Sequence, residues 1–154
     1  MIQHYHSSQL EEIMEIWLDT NLAAHDFIPE AYWREHFSFV KSLLPEAELW
    51  VYLEQSVVKG FAGIMNQSYL AGLFVRKEYQ SQGVGSALLE HLKRQYLRLE
   101  LDVYVKNQSA VLFYKKHGFQ TAEEKRNSDT QQLEYTMIWD THVNCLSTTE
   151  TKIN

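Results

Sequence analysis

The sequence predicts one α/β domain: a mixed, mostly antiparallel sheet of about seven strands with about four helices, in the order β-α-α-β-β-β-α-β-α-β-β. Three observations predict it. Two helical runs come before the first long β-rich stretch. Three β-rich runs then follow one another across two-residue connections. After them, single helices alternate with strands. With 154 residues, the chain is long enough for one domain with a sizeable core and too short for two.

Ile2 to His6 reads as a short first strand, and Ser7 or Ser8 is placed to cap a helix over 9–22. In that helix Leu10, Ile13, Ile16 or Trp17 and Asn21 recur at helical spacing, with Glu11, Glu12 and Glu15 in the first turns. Pro29 suits the first turn of a second helix running to about Leu44, where Pro45 stops it. "ELWVYLE" (48–54) and "VVKGFAGIM" (57–65) flank Gln55-Ser56 as a hairpin, and "SYLAGLFV" (68–75) pairs back through Asn66-Gln67. A third helix follows, with Val84, Leu88, Leu92 and Tyr96 four apart on one buried face. "LELDVYV" (99–105) alternates apolar residues with Glu100, Asp102 and Tyr104, the pattern of a half-buried strand. "QSAVLFYKKHGF" is a short helix closed by Gly118 in a left-handed cap, and two strands near 119–124 and 132–139 complete the domain. Residues 1–139 form that domain. Residues 140–154 are polar, lack periodicity and are expected to be a flexible tail.

Net charge is −6, which argues against nucleic acid as the main partner. Its distribution is uneven. Residues 76–116 hold eight of the fourteen Lys and Arg but only four acids, a local excess of +4, and the remainder carries −10. This pattern suits an anionic ligand at the basic segment and a cationic one elsewhere. Cys145 is the only cysteine, so neither an intrachain disulfide nor a cysteine metal cage is expected. His4 and His6 share a strand face without a third ligand nearby, and no metal is predicted. No apolar run is long enough for a signal peptide or a membrane span, and the default expectation is a cytoplasmic protein.

Gly83 and Gly85 stand one residue apart in front of the third helix, in "EYQSQGVGSALLEHLK" (78–93). A helix start aims unpaired N–H groups and a positive dipole end forward, so backbone amides from about Gln82 to Ser86 would form a nest for an anion. A dinucleotide-binding fingerprint wants Gly or Ala where Leu88 stands, and a P-loop wants Gly-Lys-Ser/Thr, so both fit less well.

"LFVRKEYQSQGVGSALLEHL" resembles the acetyl-coenzyme A signature of the GCN5-related N-acetyltransferases, Gln/Arg-x-x-Gly-x-Gly/Ala, met here by Gln80, Gly83 and Gly85. A second family block, Asn followed by Ala-x-x-x-Tyr-x-x-x-Gly-Phe, is met by Asn107, Ala110, Tyr114, Gly118 and Phe119. The resemblance spans roughly residues 1–139. It is strongest to the small bacterial YiaC/YjaB-type enzymes, through stretches at 25–33 and 44–51.

The resemblance implies acetyl-coenzyme A as cosubstrate, with no metal. Leu73, Phe74 and Val75 would pair with the pantetheine arm, and Gln80, Ser81, Gln82, Gly83, Val84, Gly85 and Ser86 would hold the pyrophosphate. Asn107, Ala110, Phe113 and Lys116 would complete the coenzyme side, with Arg76, Lys77 and Lys115 as further phosphate candidates. Tyr114 would be the general acid. A phenol of pKa ~10 stays protonated at neutral pH and can donate to a departing thiolate of pKa ~8.5. His25 is a candidate base, although packing beside Asp26 is the preferred reading of it; Glu100 and Asp102 are weaker base candidates. Tyr69 would line the acceptor channel, and Phe27 and Trp33 would contact the acceptor, Trp33 having a core position as its alternative. The expected reaction is direct attack of a primary amine on the thioester in a ternary complex, with a protein lysine favoured as acceptor. A small-molecule amine is the first alternative and a non-catalytic acyl-coenzyme A sensor the second. Monomer or homodimer is left open.

Overall fold

The structure is a computed structural model that describes residues 1–141, so the expected tail falls, past Thr141 and including Cys145, outside the described residues. The strands are β1 (Ile2–His4), β2 (Glu48–Glu54), β3 (Val57–Met65), β4 (Tyr69–Val75), β5 (Arg98–Tyr104), β6 (Gln120–Arg126) and β7 (Leu133–Asp140). The helices are α1 (Leu10–Ala24), α2 (Glu30–Leu43), α3 (Val84–Gln95) and α4 (Gln108–Lys116). Element order is as the sequence predicts. The seven strands form one sheet in the order β1-β2-β3-β4-β5-β7-β6.

Local chemistry accounts for the boundaries. The first strand stops at His4 rather than His6, because His6 and not a serine caps the turn that follows. His6 Nδ1 accepts from the Ser8 amide at 3.2 Å, and Gln9 Oε1 accepts from the His6 amide at 2.8 Å, a reciprocal capping box. Both hairpin turns place two successive residues at positive φ: Gln55 and Ser56 at 52° and 65°, Asn66 and Gln67 at 52° and 67°. Such turns match the twist of the flanking strands.

Helices cover the two sheet faces unequally. On one face α3 and α4 bury Leu89, Leu92, Val111 and Tyr114 against Ala62, Leu70, Leu99, Leu101, Val103 and Met137. On the other, α1 and α2 bury Ile13, Met14, Ile16, Trp17 and Trp33 against Leu49, Val51, Val58 and Phe61. On that second face, the cross-strand pairs Asp102–Thr136 and Tyr104–Glu134 of β5 and β7 carry polar groups instead.

All neighbouring strands run antiparallel except β4 and β5, whose parallel register consists of the single pair Tyr69–Glu100. The Glu100 amide donates to Ser68 O at 2.9 Å, and past that point the two strands separate. β4 also bulges: Gly63 and Ile64 of β3 face Gly72 and Leu70, leaving Ala71 unpaired. From Leu70 onward, the β4 edge facing β5 is open.

Candidate active site

The β4–α3 connection supplies an anion cradle at the open end of that cleft. Among the described residues, no amide from Ser81 through Ser86 reaches a protein acceptor with hydrogen-bond geometry; the first amide of the helix that does is that of Ala87, to Gly83 O at 2.9 Å. Ser81 at φ 62° and Gly83 at φ 87° put left-handed backbone into this run, the kind of turn from which anion-binding nests are built. Gly83 is the N-cap of α3 and makes no side-chain cap, and a Cβ built on it has no atom within 4 Å. A Cβ built on Gly85 would meet the Phe113 ring and the Leu73 methyl at 3.4 and 3.6 Å, ordinary van der Waals contact that places this residue between β4 and α4.

Gln80 and Gln82 brace the cradle: Gln80 Nε2 donates to Val75 O at 3.0 Å and Gln82 Nε2 to Glu78 O at 3.0 Å. Arg76 is engaged within the protein. Its guanidinium donates to Val58 O at 2.9 Å and lies 3.4 Å from both Glu12 and Glu15, tying β4 to α1. Lys77, Lys115 and Lys116 are exposed near the cradle and form no ion pair among the described residues.

Tyr114 stands on the inner face of α4 at 8% exposure, edge-on to Phe113 and Phe119. Burial pushes its phenol up from the ordinary value, so it is a proton donor and not a phenolate. Ala110 and Phe113 flank it on the same helix. Asn107 caps α4, its Oδ1 accepting from the Ala110 amide at 3.4 Å.

His25 and Trp33 are packing residues. The His25 ring stacks on Trp33, with centroids 5.2 Å apart, and meets Phe27 and Tyr104 edge-on. With Asn107 Oδ1 engaged at the cap, Asn107 Nδ2 donates to His25 Nε2 at 3.2 Å, so Nδ1 carries the proton. That Nδ1 is buried without a partner among the described residues. Burial lowers the His25 pKa to about 4, which makes it a poor base for an ammonium group. Trp33 lies behind it at 8% exposure, part of the core rather than a wall of the cleft. Phe27 is half-buried against Tyr104, and its carbonyl accepts from Gln132 Nε2 at 3.4 Å, joining the α1–α2 loop to the β6–β7 turn.

Tyr69 stands at the vertex where β4 leaves β5 and donates to Asp102 Oδ2 at 2.9 Å. Burial of Asp102 would raise its pKa, but hydrogen bonds from Thr136, Lys125 and Tyr69 more than offset that and hold it below the usual carboxylate range. Thr136 donates to Asp102 Oδ1 at 2.7 Å and Lys125 Nζ lies 3.1 Å from the same oxygen, so this carboxylate is fully engaged. Glu100 is paired with Arg98 at 3.1 Å. Glu134, absent from the sequence-based expectation, forms no ion pair among the described residues and accepts only from Asn127 Nδ2 at 3.3 Å. Burial, with the nearby charge of Asp102, raises its pKa. Alternation in "LELDVYV" put Glu100, Asp102 and Tyr104 on one face, but only the β5–β7 register brings Glu134 and Thr136 beside them.

A sheet split between two parallel strands, with an amide cradle at the mouth of the split, defines the class: the chain belongs to the GNAT acetyltransferases and is an N-acetyltransferase. The family model for the acetyltransferase (GNAT) domain matches residues 10–134. The chain is 34% identical over 140 residues to the peptidyl-lysine N-acetyltransferase YiaC of Escherichia coli K12, covering 90% of this chain and 96% of that one. It is 35% identical over 120 residues to the peptidyl-lysine N-acetyltransferase YjaB of the same organism, covering 77% and 81% respectively. The solution structure of apo YjaB from Escherichia coli superposes with a TM-score of 0.80 at 30% identity, covering 90% of this chain and 96% of that one. Among the described residues, no helix is long and apolar enough to cross a membrane, and no group of three or more His, Cys, Asp and Glu is placed to hold a metal ion.

Proposed function

We propose that this protein transfers acetyl from acetyl-coenzyme A to a primary amine, by direct attack within a ternary complex, with a protein lysine as the favoured acceptor. The observation that carries the coenzyme assignment is the run of unpaired amides from Ser81 to Ser86 at the start of α3. A run of unpaired N–H groups at a helix start, backed by the positive end of the helix dipole, suits an external anionic acceptor, and a diphosphate supplies several acceptor oxygens. The cradle lies at the open end of the β4–β5 cleft, so an extended arm bound there would run along the unpaired edge of β4 as an added strand. Acetyl-coenzyme A supplies an activated thioester carbonyl; the chain's own residues bind, orient and protonate.

In this reading, β4 amides beyond Leu70 hold the carbonyl oxygen and stabilise the negative charge that develops on it. Tyr114, kept neutral by burial, gives its proton to the departing sulfur. The acceptor approaches the α1/α2 face beside Tyr69, Tyr104 and Glu134. There the carboxylate without an ion pair favours an ammonium-bearing side chain. His25 is not the base, given its Asn107 bond and its burial. YiaC and YjaB are named as peptidyl-lysine N-acetyltransferases, which supports the protein-lysine preference. A cytoplasmic setting is part of the same proposal.

Thiol release from acetyl-coenzyme A, measured with lysine peptides, polyamines and free amino acids, tests this. Turnover is expected with lysine peptides. Tight coenzyme binding without turnover on any amine would convert the reading to that of an acyl-coenzyme A sensor.

A further inference from the structure

Ser86, His117 and Glu90 form a hydrogen-bonded relay that runs from the amide cradle through a largely buried imidazole to an exposed carboxylate. Ser86 Oγ lies 3.1 Å from His117 Nε2, and His117 Nδ1 lies 3.3 Å from Glu90 Oε1. Ser86 and Glu90 are one turn apart on α3, while His117 closes α4, so the relay links the two helices. The His117 side chain is only 12% exposed. The charged groups facing it are Glu90 and Lys93 of α3: Lys93 Nζ donates to the His117 carbonyl and lies 3.5 Å from Glu90. On its own element it follows Lys115 and Lys116, and Phe113 packs on the ring at 4.7 Å.

Proton inventory fixes what this relay can do. A carboxylate only accepts, so the Glu90 contact requires a proton on His117 Nδ1. With the ring neutral, Nε2 is a lone pair and the Ser86 hydroxyl must donate to it. Ser86 then turns only oxygen lone pairs toward the cradle, which an anion repels. With the ring protonated, Nε2–H donates to Ser86 Oγ and the hydroxyl proton is free to donate to a phosphate oxygen. We infer that His117 is a positioning residue for the coenzyme's diphosphate: it gains a proton when the diphosphate binds and, through Ser86, adds one donor to the amide cradle. The inference rests on the diphosphate assignment above. Linkage sets the sign. Binding that favours the charged imidazole tightens as pH falls and weakens as pH rises.

Calorimetric titration with coenzyme A at pH 6 and pH 8, repeated in buffers of different ionisation enthalpy, tests it. Wild type should bind roughly five- to tenfold more tightly at pH 6, as expected for exchanging a repulsive contact for a charge-assisted one, and should take up part of a proton near pH 7. Coenzyme A carries a 3′-phosphate that itself titrates near ~6, so dephospho-coenzyme A is run in parallel and should retain the dependence. Ser86→Ala and His117→Gln should bind with an affinity nearly independent of pH. Glu90→Gln, an exposed position that leaves the cradle intact, should weaken binding at pH 6 and reduce proton uptake. Proton uptake in wild type needs no variant, so a misfolded His117→Gln leaves the test standing. Equal pH dependence in wild type and Ser86→Ala, or no proton uptake with dephospho-coenzyme A, overturns the relay while leaving the coenzyme assignment in place. Failure to bind coenzyme A at either pH overturns the assignment itself.

Discussion

Asn107 and His25, 82 residues apart, share a hydrogen bond of 3.2 Å that ties the α1–α2 loop to the start of α4. One amide thereby serves two elements, its Oδ1 capping α4 and its Nδ2 satisfying the only ring nitrogen of His25 that has a partner. Asn107→Ala removes both. A lost cap costs about 1 kcal/mol and an unsatisfied buried acceptor about 1–3 kcal/mol more. Thermal melts should therefore fall by roughly 5–12 °C in a domain of this size. Asn107→Asp keeps the cap and replaces the donor with a carboxylate. It should raise the His25 pKa, read by NMR titration of the ring. An unchanged melt in Asn107→Ala would show that neither bond contributes.

His25 makes the fold acid-sensitive. Its pKa is lowered by burial from 6.5 to about 4, so the folded state holds the ring neutral where the unfolded chain protonates it. The sign follows from linkage: stability from this residue is fully present above pH ~6.5 and is lost progressively as pH falls toward ~4. The loss amounts to at most about 3 kcal/mol. Melting temperature should fall between pH 7 and pH 5 in wild type. In His25→Phe, whose ring carries no proton to gain, the fall should be distinctly smaller.

The cradle glycine is tested at Gly83, where φ is 87° and the space a Cβ would fill is open. Gly83→Ala should destabilise by about 1–2 kcal/mol through the left-handed backbone alone. Gly83→Asn tolerates that backbone and should melt close to wild type. Both variants place atoms in front of the amides, so calorimetry should find coenzyme A binding weakened about tenfold or more in each, the equivalent of one lost charge-assisted bond. Wild-type affinity in Gly83→Asn would contradict the cradle.

Most of the architecture was legible in the sequence because its signals are local. The spacing of Val84, Leu88 and Leu92, the paired turn residues at 55–56 and 66–67, and Gly118 at φ 89° each fix an element without help from the rest of the chain. The contacts of Arg76 were hidden for the opposite reason. Its proximity in sequence to the basic loop suggested a phosphate ligand, but its partners Glu12 and Glu15 lie more than sixty residues away. Glu134 was invisible for a related reason: nothing in "QQLEYTMIWD" distinguishes a carboxylate beside the cleft from a solvated one, and only the pairing of β7 with β5 does so. Ser86 was expected among the residues holding the pyrophosphate, yet its link to His117 depends on how α4 lies beside α3.

Tyr114→Phe separates chemistry from packing. The hydroxyl makes no protein hydrogen bond among the described residues, so phenylalanine fills the same space without leaving a stranded partner. Stability and coenzyme affinity should stay near wild type, while kcat falls by about 10²-fold or more for loss of a general acid. Because burial raises the phenol, the wild-type rate should show no decline from its ionisation below pH 10. Unchanged turnover would remove Tyr114 from the mechanism.

Glu134 offers a trade between stability and acceptor binding. Burial raises its carboxyl pKa, so the charged form at neutral pH costs folding free energy that glutamine does not carry. Glu134→Gln keeps a side-chain oxygen for Asn127 and should melt at or above the wild-type temperature. The missing charge should be felt by a lysine acceptor. At ~10 Å and an effective dielectric of ~20 the attraction is about 1–2 kcal/mol, so KM for a lysine peptide should rise roughly five- to thirtyfold. Coenzyme affinity should not move, and added salt should shrink the difference between variant and wild type. A KM unchanged at low ionic strength would mean that the amine approaches elsewhere, and the acceptor would then have to be sought away from the β5–β7 face.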